Sequence, residues 1–281
     1  MSAYAWSPAS GKRESPVLRL VIANQRGGVS KTTTTATLAR FLGDQGMKVL
    51  VIDADPQGSL GLVLGLRPER YLHDFLIHNH PLADCVFPAT ANIDVLCGSR
   101  DTTVVEAALL GTAGRERAFS RQLEMADSPY DVVLIDVSPS INLVQTCSML
   151  YAKQLLIPVS MNMLSLQGAA ACLQTASLLG DAFREKIHPV ALLPVMVDRR
   201  FSLTDYILQA LEEMSEQYRV PLLHAIRTDG TVPRAERARQ FLADYDPKCK
   251  ALEDYSVAAL QVLELMKAGQ DAERYPEALT A

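Results

Sequence analysis

Residues 18–33 run Leu18-Arg19-Leu20-Val21-Ile22-Ala23-Asn24-Gln25-Arg26-Gly27-Gly28-Val29-Ser30-Lys31-Thr32-Thr33. Leu18 to Ala23 reads as a short β-rich strand. A glycine pair then turns the chain, and Leu38, Phe41 and Leu42 fall at helical spacing between Lys31 and Gln45, with Gly46 placed to end the helix. A strand, a glycine turn and Lys-Thr at a helix start are what a phosphate cradle requires. Glycines let the backbone approach an anion, helix N-terminal N–H groups face it, and the lysine neutralises it. The strict pattern GxxxxGK[ST] is not met, because Gln25 and Ser30 occupy its two glycine positions. Taken alone, the match is equally an ordinary strand–turn–helix.

The pattern of strand then helix repeats outward from this stretch. Val49–Ile52 is apolar on both faces, as central parallel strands are. Further strands are expected at 93–96, 132–135, 155–159, 190–197 and 221–226. Helices are expected over about 103–127, 141–151, 160–181, 203–218, 233–242 and 250–267. This alternation predicts an α/β fold, a doubly wound, mostly parallel sheet with helices on both faces. Residues 1–16 read as a flexible leader and 17–281 as a single domain, since no linker rich in Pro, Gly or Ser divides the chain.

Composition narrows the class. The chain has 281 residues, 48% of them apolar and 21% charged, which excludes a disordered or fibrous protein. The net charge of −5 means that any nucleic-acid contact must come from a local patch. Five cysteines without a CxxC pair fit reduced thiols, and the N-terminus lacks the apolar core of a signal peptide. Gln154 to Gly180 carries no charge and is long enough to span a bilayer. Its polar residues and Pro158 instead favour a buried strand followed by a buried helix.

Two acidic motifs strengthen the phosphate reading. Val49-Leu50-Val51-Ile52-Asp53-Ala54-Asp55-Pro56-Gln57-Gly58-Ser59 puts two carboxylates just past a buried strand, where open α/β sheets bind ligands. Asp131-Val132-Val133-Leu134-Ile135-Asp136 is an apolar strand ending in an Asp, the pattern that supports Mg²⁺ in nucleotide-hydrolysing enzymes. One strand-end Asp is ordinary; three in register with a phosphate loop are not.

NQRGGVSKTTT, VLVIDADPQGS and DVVLIDVSPS together resemble the deviant Walker A, A′ and B motifs of ParA-type ATPases, a branch of the ParA/MinD family of P-loop NTPases. The likeness extends to Leu193–Arg200, to Thr231-Val232-Pro233-Arg234 and to Tyr245–Lys248, so it covers residues 18–267. The resemblance implies that residues 25–33, namely Gln25, Arg26, Gly27, Gly28, Val29, Ser30, Lys31, Thr32 and Thr33, cradle ATP. It further implies that Thr32, Asp55 and Asp136 serve Mg²⁺, that Asp55 orients or activates the attacking water, and that Met196 borders the adenine. Such proteins pair as ATP-bound homodimers, coat non-specific DNA, and hydrolyse slowly until a small ParB-like or carboxysome-type adaptor stimulates them while a cargo is positioned. A cytoplasmic, nucleoid-associated protein is implied.

The chain departs from the family twice. The signature lysine falls at Arg26, which keeps the charge and adds a bidentate fork. Ser30 replaces the loop's last glycine, at little cost if its φ stays negative. Lys153, alone in a long neutral stretch, reads either as a lysine near a helix C-terminus or as a second cation at the dimer face replacing the signature lysine. Three sister functions fit less well. Val137–Ser140 lacks the cluster cysteine of iron-protein relatives. The acidic end QDAERYPEALTA argues against membrane recruitment, and the 16 residues before the first strand leave no room for a helix-turn-helix domain.

DNA contact is expected from the segment Arg219–Lys250. It holds seven cations, among them Arg219, Arg234, Arg237, Arg239, Lys248 and Lys250, against four anions. The same charges also describe a solvated helix face. Two rival functions remain: a nucleotide-gated binding module with negligible hydrolysis, and a P-loop metabolic ligase.

Overall fold

Seven strands form one sheet in the order β3-β4-β2-β5-β1-β6-β7. They are β1 (Leu18–Ile22), β2 (Val49–Asp53), β3 (Val86–Thr90), β4 (Ile93–Leu96), β5 (Val132–Asp136), β6 (Gln154–Ser160) and β7 (His188–Val195). The computed structural model describes residues 16–274. The leader assigned to residues 1–16 therefore lies, except for Pro16, outside the described residues, as do the last seven residues of the acidic end. Every pairing is parallel except β3 with β4. The predicted doubly wound architecture is present.

Helices cover both faces because β2, β5 and β6 are buried at every position, which leaves no sheet face for water. One face carries α1 (Lys31–Asp44), α10 (Thr231–Ala238), α11 (Leu242–Tyr245) and α12 (Lys250–Arg274), packed on Leu20, Ile22, Val51 and Leu134. The other carries α3 (Leu72–His78), α6 (Ala118–Ala126), α7 (Leu143–Ala152), α8 (Met163–Phe183) and α9 (Ser202–Tyr218), packed on Val21, Ile52, Val133 and Ile157. The neutral stretch from Gln154 is strand β6 and helix α8, and among the described residues no helix is long and apolar enough to cross a membrane. All five cysteines are buried and unpaired.

Helix α1 stops where its glycine predicts. Gly46 takes φ +82°, its N–H donates to Gly43 O, and Met47 N donates to Leu42 O, the paired bonds of a Schellman end.

Two local expectations need correction. Residues 221–226 run beside β7 without forming a continuous strand: the pairing is limited to isolated parallel bridges, Leu192 with Leu222 and, just past β7, Val197 with Arg227. Pro194 accepts from Ile226 N at 2.8 Å but has no N–H to return, which interrupts the ladder between the two bridges. The helices expected over 103–127 are α5 (Thr102–Leu109), a 3-10 turn (Arg115–Arg117) and α6, with Gly114 at φ +63° between α5 and the turn. The helix expected over 233–242 divides into α10 and α11 after Arg239 takes φ +58°. Four elements were not anticipated: α2 (Ser59–Val63), α3, α4 (Leu82–Cys85) and the antiparallel edge strand β3. Pro88 sits in the middle of β3, which marks it as an edge.

A charged cluster closes the bottom of the sheet. Asp127 accepts from Arg19 Nε at 2.8 Å and from the Tyr151 hydroxyl at 2.5 Å, and the Arg19 guanidinium lies 4.7 Å from the Tyr151 ring centroid. Tyr151 and Asp127 are each 1% exposed. Tyr151→Phe removes the hydroxyl donor while keeping the ring, so it should lower unfolding free energy by about 1–3 kcal/mol. A urea midpoint equal to that of the wild type would show that this bond adds nothing.

Candidate functional site

The parallel register brings three acidic side chains to one end of the sheet. Ile22 of β1 and Asp53 of β2 both sit opposite Asp136 of β5. The loop leaving β1 wraps over that end before entering α1, so Lys31, first residue of α1, lies directly above β5. Thr32 Oγ1 donates to Asp136 Oδ2 at 2.6 Å. Asp136 is 1% exposed, and its other oxygen, Oδ1, is buried with no partner. A buried carboxylate oxygen with nothing to accept from is costly. Beside a threonine hydroxyl and a lysine, it suits a hydrated divalent cation.

The electrostatics agree. Burial pushes the Asp53 and Asp136 carboxyls well above the ordinary carboxylate range. Thr32 and Lys31 oppose the shift at Asp136, and Asp55 adds to it. Burial lowers the Lys31 pKa, while Asp136 and Asp55 act to raise it. Lys31 Nζ now donates to the carbonyls of Arg26 (3.0 Å) and Asn24 (3.4 Å), a folded-back pose that an arriving phosphate would replace. Asp53 accepts from the backbone N–H of Asp55 and Leu60, so it shapes the turn that presents the half-buried Asp55.

These groups open into a pocket of about 640 Å³. Its wall includes residues 27–33 of the loop, Asp55, Met196 and the segment 226–233. The structure thus brings together Gly27, Gly28, Val29, Ser30, Lys31, Thr32, Thr33, Asp55 and Met196, with Asp136 beneath them. Met196 is 48% exposed and takes φ +56° at the end of β7.

Other expected residues are placed differently. The Gln25 amide donates to Ala171 O and Thr175 Oγ1 on α8, so this side chain anchors the loop and turns away from the cradle. Arg26 is exposed at the loop's outer rim. Lys153 is not brought to the pocket. It caps α7 at the N-terminal end of β6, with φ +57° and Nζ 2.6 Å from Glu185 Oε2. That is the sheet end remote from the loop, and this position overturns its reading as a substitute signature lysine. Ser30 takes the costlier alternative, with φ +57°. A side chain in this region is strained by about 1–2 kcal/mol.

Two contributors were missed in the sequence. Gly168 of α8 lies so close under the loop that an added Cβ would collide with Asn24 Oδ1 and come within 3.2 Å of Arg26 N. Glu236 of α10 accepts from Thr33 Oγ1 at 2.8 Å, tying the pocket's two walls together. Neither has a local signal, since both act across more than a hundred residues.

The cations of the C-terminal segment form no single patch. Arg234, Arg237 and Arg239 are exposed on or just past α10. Arg234 bonds back to Gly230 O, and Lys248 is exposed nearby. Lys250 instead lines a separate groove with Arg199, Arg200 and Arg227, where the adjacent pair Arg199-Arg200 was a readable signal. Arg219 caps α9 on the far side of the 221–227 segment, away from the others.

Comparison with known proteins agrees with this geometry. Residues 18–188 match the family described as AAA domain. The chromosome partitioning protein ParA of Caulobacter vibrioides is 32% identical over 260 residues, covering 88% of this chain and 94% of its own. Cobyrinic acid a,c-diamide synthase from Mycobacterium smegmatis, solved with an ATP analogue and magnesium, superposes with a TM-score of 0.77 at 28% identity, covering 90% of this chain and 97% of that one. Apo McdA of Cyanothece shares the fold with a TM-score of 0.79 at 22% identity, over 88% of this chain and 100% of its own.

Ser30→Gly should relieve the left-handed strain and raise unfolding free energy by up to about 1 kcal/mol, the loop's greater freedom when unfolded offsetting part of the gain. A chemical denaturation curve moved to lower denaturant by this change would mean that the Ser30 side chain stabilises the loop.

Proposed function

The chain belongs to the ParA family of P-loop partition ATPases, and from that premise we propose that its pocket binds ATP with Mg²⁺ and hydrolyses it slowly. The observation that carries this is the convergence of Lys31, Thr32, Asp55 and Asp136 at one sheet end, with Asp136 Oδ1 left unpaired. Lys31 neutralises the phosphates after leaving its carbonyl partners. Thr32 and Asp136 hold the cation, which when bound draws charge from the phosphate oxygens. Asp55, half-exposed beside them, orients the attacking water. The adenine lies along Met196 and the 226–233 wall.

The remainder of the reading rests on the relatives. The ATP-bound chain pairs with a second copy, and Arg26 at the rim reaches the partner's phosphates as an arginine finger does. The dimer holds DNA through phosphate contacts from Arg234, Arg237, Arg239 and Lys248, with Lys250 and Arg219 further off. A small ParB-like or carboxysome-type adaptor stimulates turnover, and a cargo is positioned in a cytoplasmic, nucleoid-associated cycle. A module that binds nucleotide with negligible hydrolysis is the second reading, favoured by the arginine at position 26 and the strained serine at 30.

Measurements of nucleotide binding and phosphate release test the centre of this proposal. Lys31→Ala should weaken ATP binding by at least about tenfold, since it removes a charge-assisted phosphate contact. Asp55→Ala should keep binding within a few fold while phosphate release falls by about a hundredfold or more. Release that is negligible in the wild type even with DNA and adaptor would establish the second reading. Turnover that requires a small-molecule acceptor would instead support a synthase like the Mycobacterium smegmatis neighbour.

DNA affinity should fall steeply with salt, and Arg234→Ala and Arg237→Ala should each flatten the log–log salt slope by about 0.9. An ATP-bound protein that ignores DNA at low salt would remove this part of the proposal.

A further inference from the structure

Three of the chain's five histidines, His73, His78 and His80, fall between residues 73 and 80, and nothing in the nucleotide pocket uses them. His73 and His78 belong to the short helix α3. The ligating atoms of His73, Asp74 and His78 all lie within 4.8 Å of one another. His73 Nε2 is 3.5 Å from Asp74 Oδ1, and the His73 and His78 rings stand 6.0 Å apart at 79°. Two ligands on a tetrahedral zinc ion are about 3.4 Å apart, so small rotations of these side chains would close the set.

The surroundings orient these donors. Asp74 Oδ2 accepts the Tyr71 N–H at 2.8 Å, capping α3, which leaves Oδ1 turned toward His73. The other ring nitrogen of His73, Nδ1, lies 3.5 Å from Ser99 Oγ. A proton on Nδ1 directed at Ser99 leaves the Nε2 lone pair facing Asp74, the outer support that metal-bound imidazoles receive. His73 and Asp74 are half-buried and His78 is exposed, which gives an ion a path in.

We propose that His73, Asp74 and His78 form a site for a divalent transition metal of the zinc class, with the fourth position left to water. Two imidazoles and one carboxylate suit such an ion, whereas Mg²⁺ prefers oxygen donors alone. The site is therefore chemically distinct from the cation seat at Thr32 and Asp136.

It is also mechanically close to that seat. Leu72 N donates to Cys97 O at 2.9 Å. The next residue, Gly98, packs so tightly that an added Cβ would lie 2.6 Å from the carbonyl oxygens of both Asp53 and Asp55. A metal on His73 would hold α3 against the Gly98–Ser99 turn on which the Asp55 loop rests.

The test uses the full chain carrying no affinity tag, stripped with chelator and titrated with Zn²⁺ by calorimetry, with Co²⁺ absorption as a readout of tetrahedral coordination. The expected result is one saturable equivalent and a visible cobalt band. His73→Gln and His78→Ala should each weaken binding by at least about tenfold. His224→Gln, a histidine 3.3 Å from Asp254 elsewhere, should leave it unchanged. His78 is exposed, so its removal does not endanger folding. No saturable binding by the wild type, undiminished binding in either cluster variant, or an equal loss in His224→Gln would overturn the site.

Discussion

Asp53 and Asp136 occupy paired positions on adjacent parallel strands, both within a few per cent of complete burial. Two carboxylates placed this way repel each other and lose their hydration, so the sheet end is costly to build. Asp53 recovers part of that cost through the N–H groups of Asp55 and Leu60. Asp136 recovers less, because one of its oxygens is idle. Lys31, at the start of α1, brings positive charge to Asp136. The strained Ser30, the close approach at Gly168 and the burial of Lys31 all follow from holding the loop between β1 and α1 over the two acids.

The two faces of the sheet divide the tasks. On one, α1, α10 and α12 link the loop to the pocket's far wall through Thr33–Glu236 and Thr34–Tyr255. On the other, α8 fixes the loop's entry through Gln25. The departures from the family pattern then look local. Arg26 is exposed at the rim, and Ser30 accepts a glycine conformation at a cost in strain.

Much of this was legible in the chain. The central strands are short apolar runs, and β2 and β5 each end in an aspartate, so the acidic end of the sheet could be read directly. Lys31, Thr32, Asp55 and Asp136 could be named because they follow or end short apolar strands, and Met196 through the family resemblance; all five lie at one pocket. What was not legible depends on contacts distant in sequence or on single backbone angles. Pro88 lies in the unanticipated edge strand β3, and Pro194 in β7 interrupts the pairing of 221–226, an effect invisible in the segment 221–226 itself. The left-handed turns at Ser30, Lys153 and Arg239 carry no glycine to announce them. The same turn at Lys153 sends the chain into β6 from the bottom of the sheet, which is why an isolated lysine in a neutral stretch proved to be a helix end.

The proposed chemistry requires a divalent cation and a triphosphate to share the end of β1, β2 and β5. Crystals grown with Mn²⁺ and a non-hydrolysable ATP analogue would locate the metal by its anomalous scattering. A single strong peak is expected beside Thr32 Oγ1 and Asp136, with the phosphates over residues 27–32. A peak elsewhere, or nucleotide bound away from this loop, would contradict that chemistry.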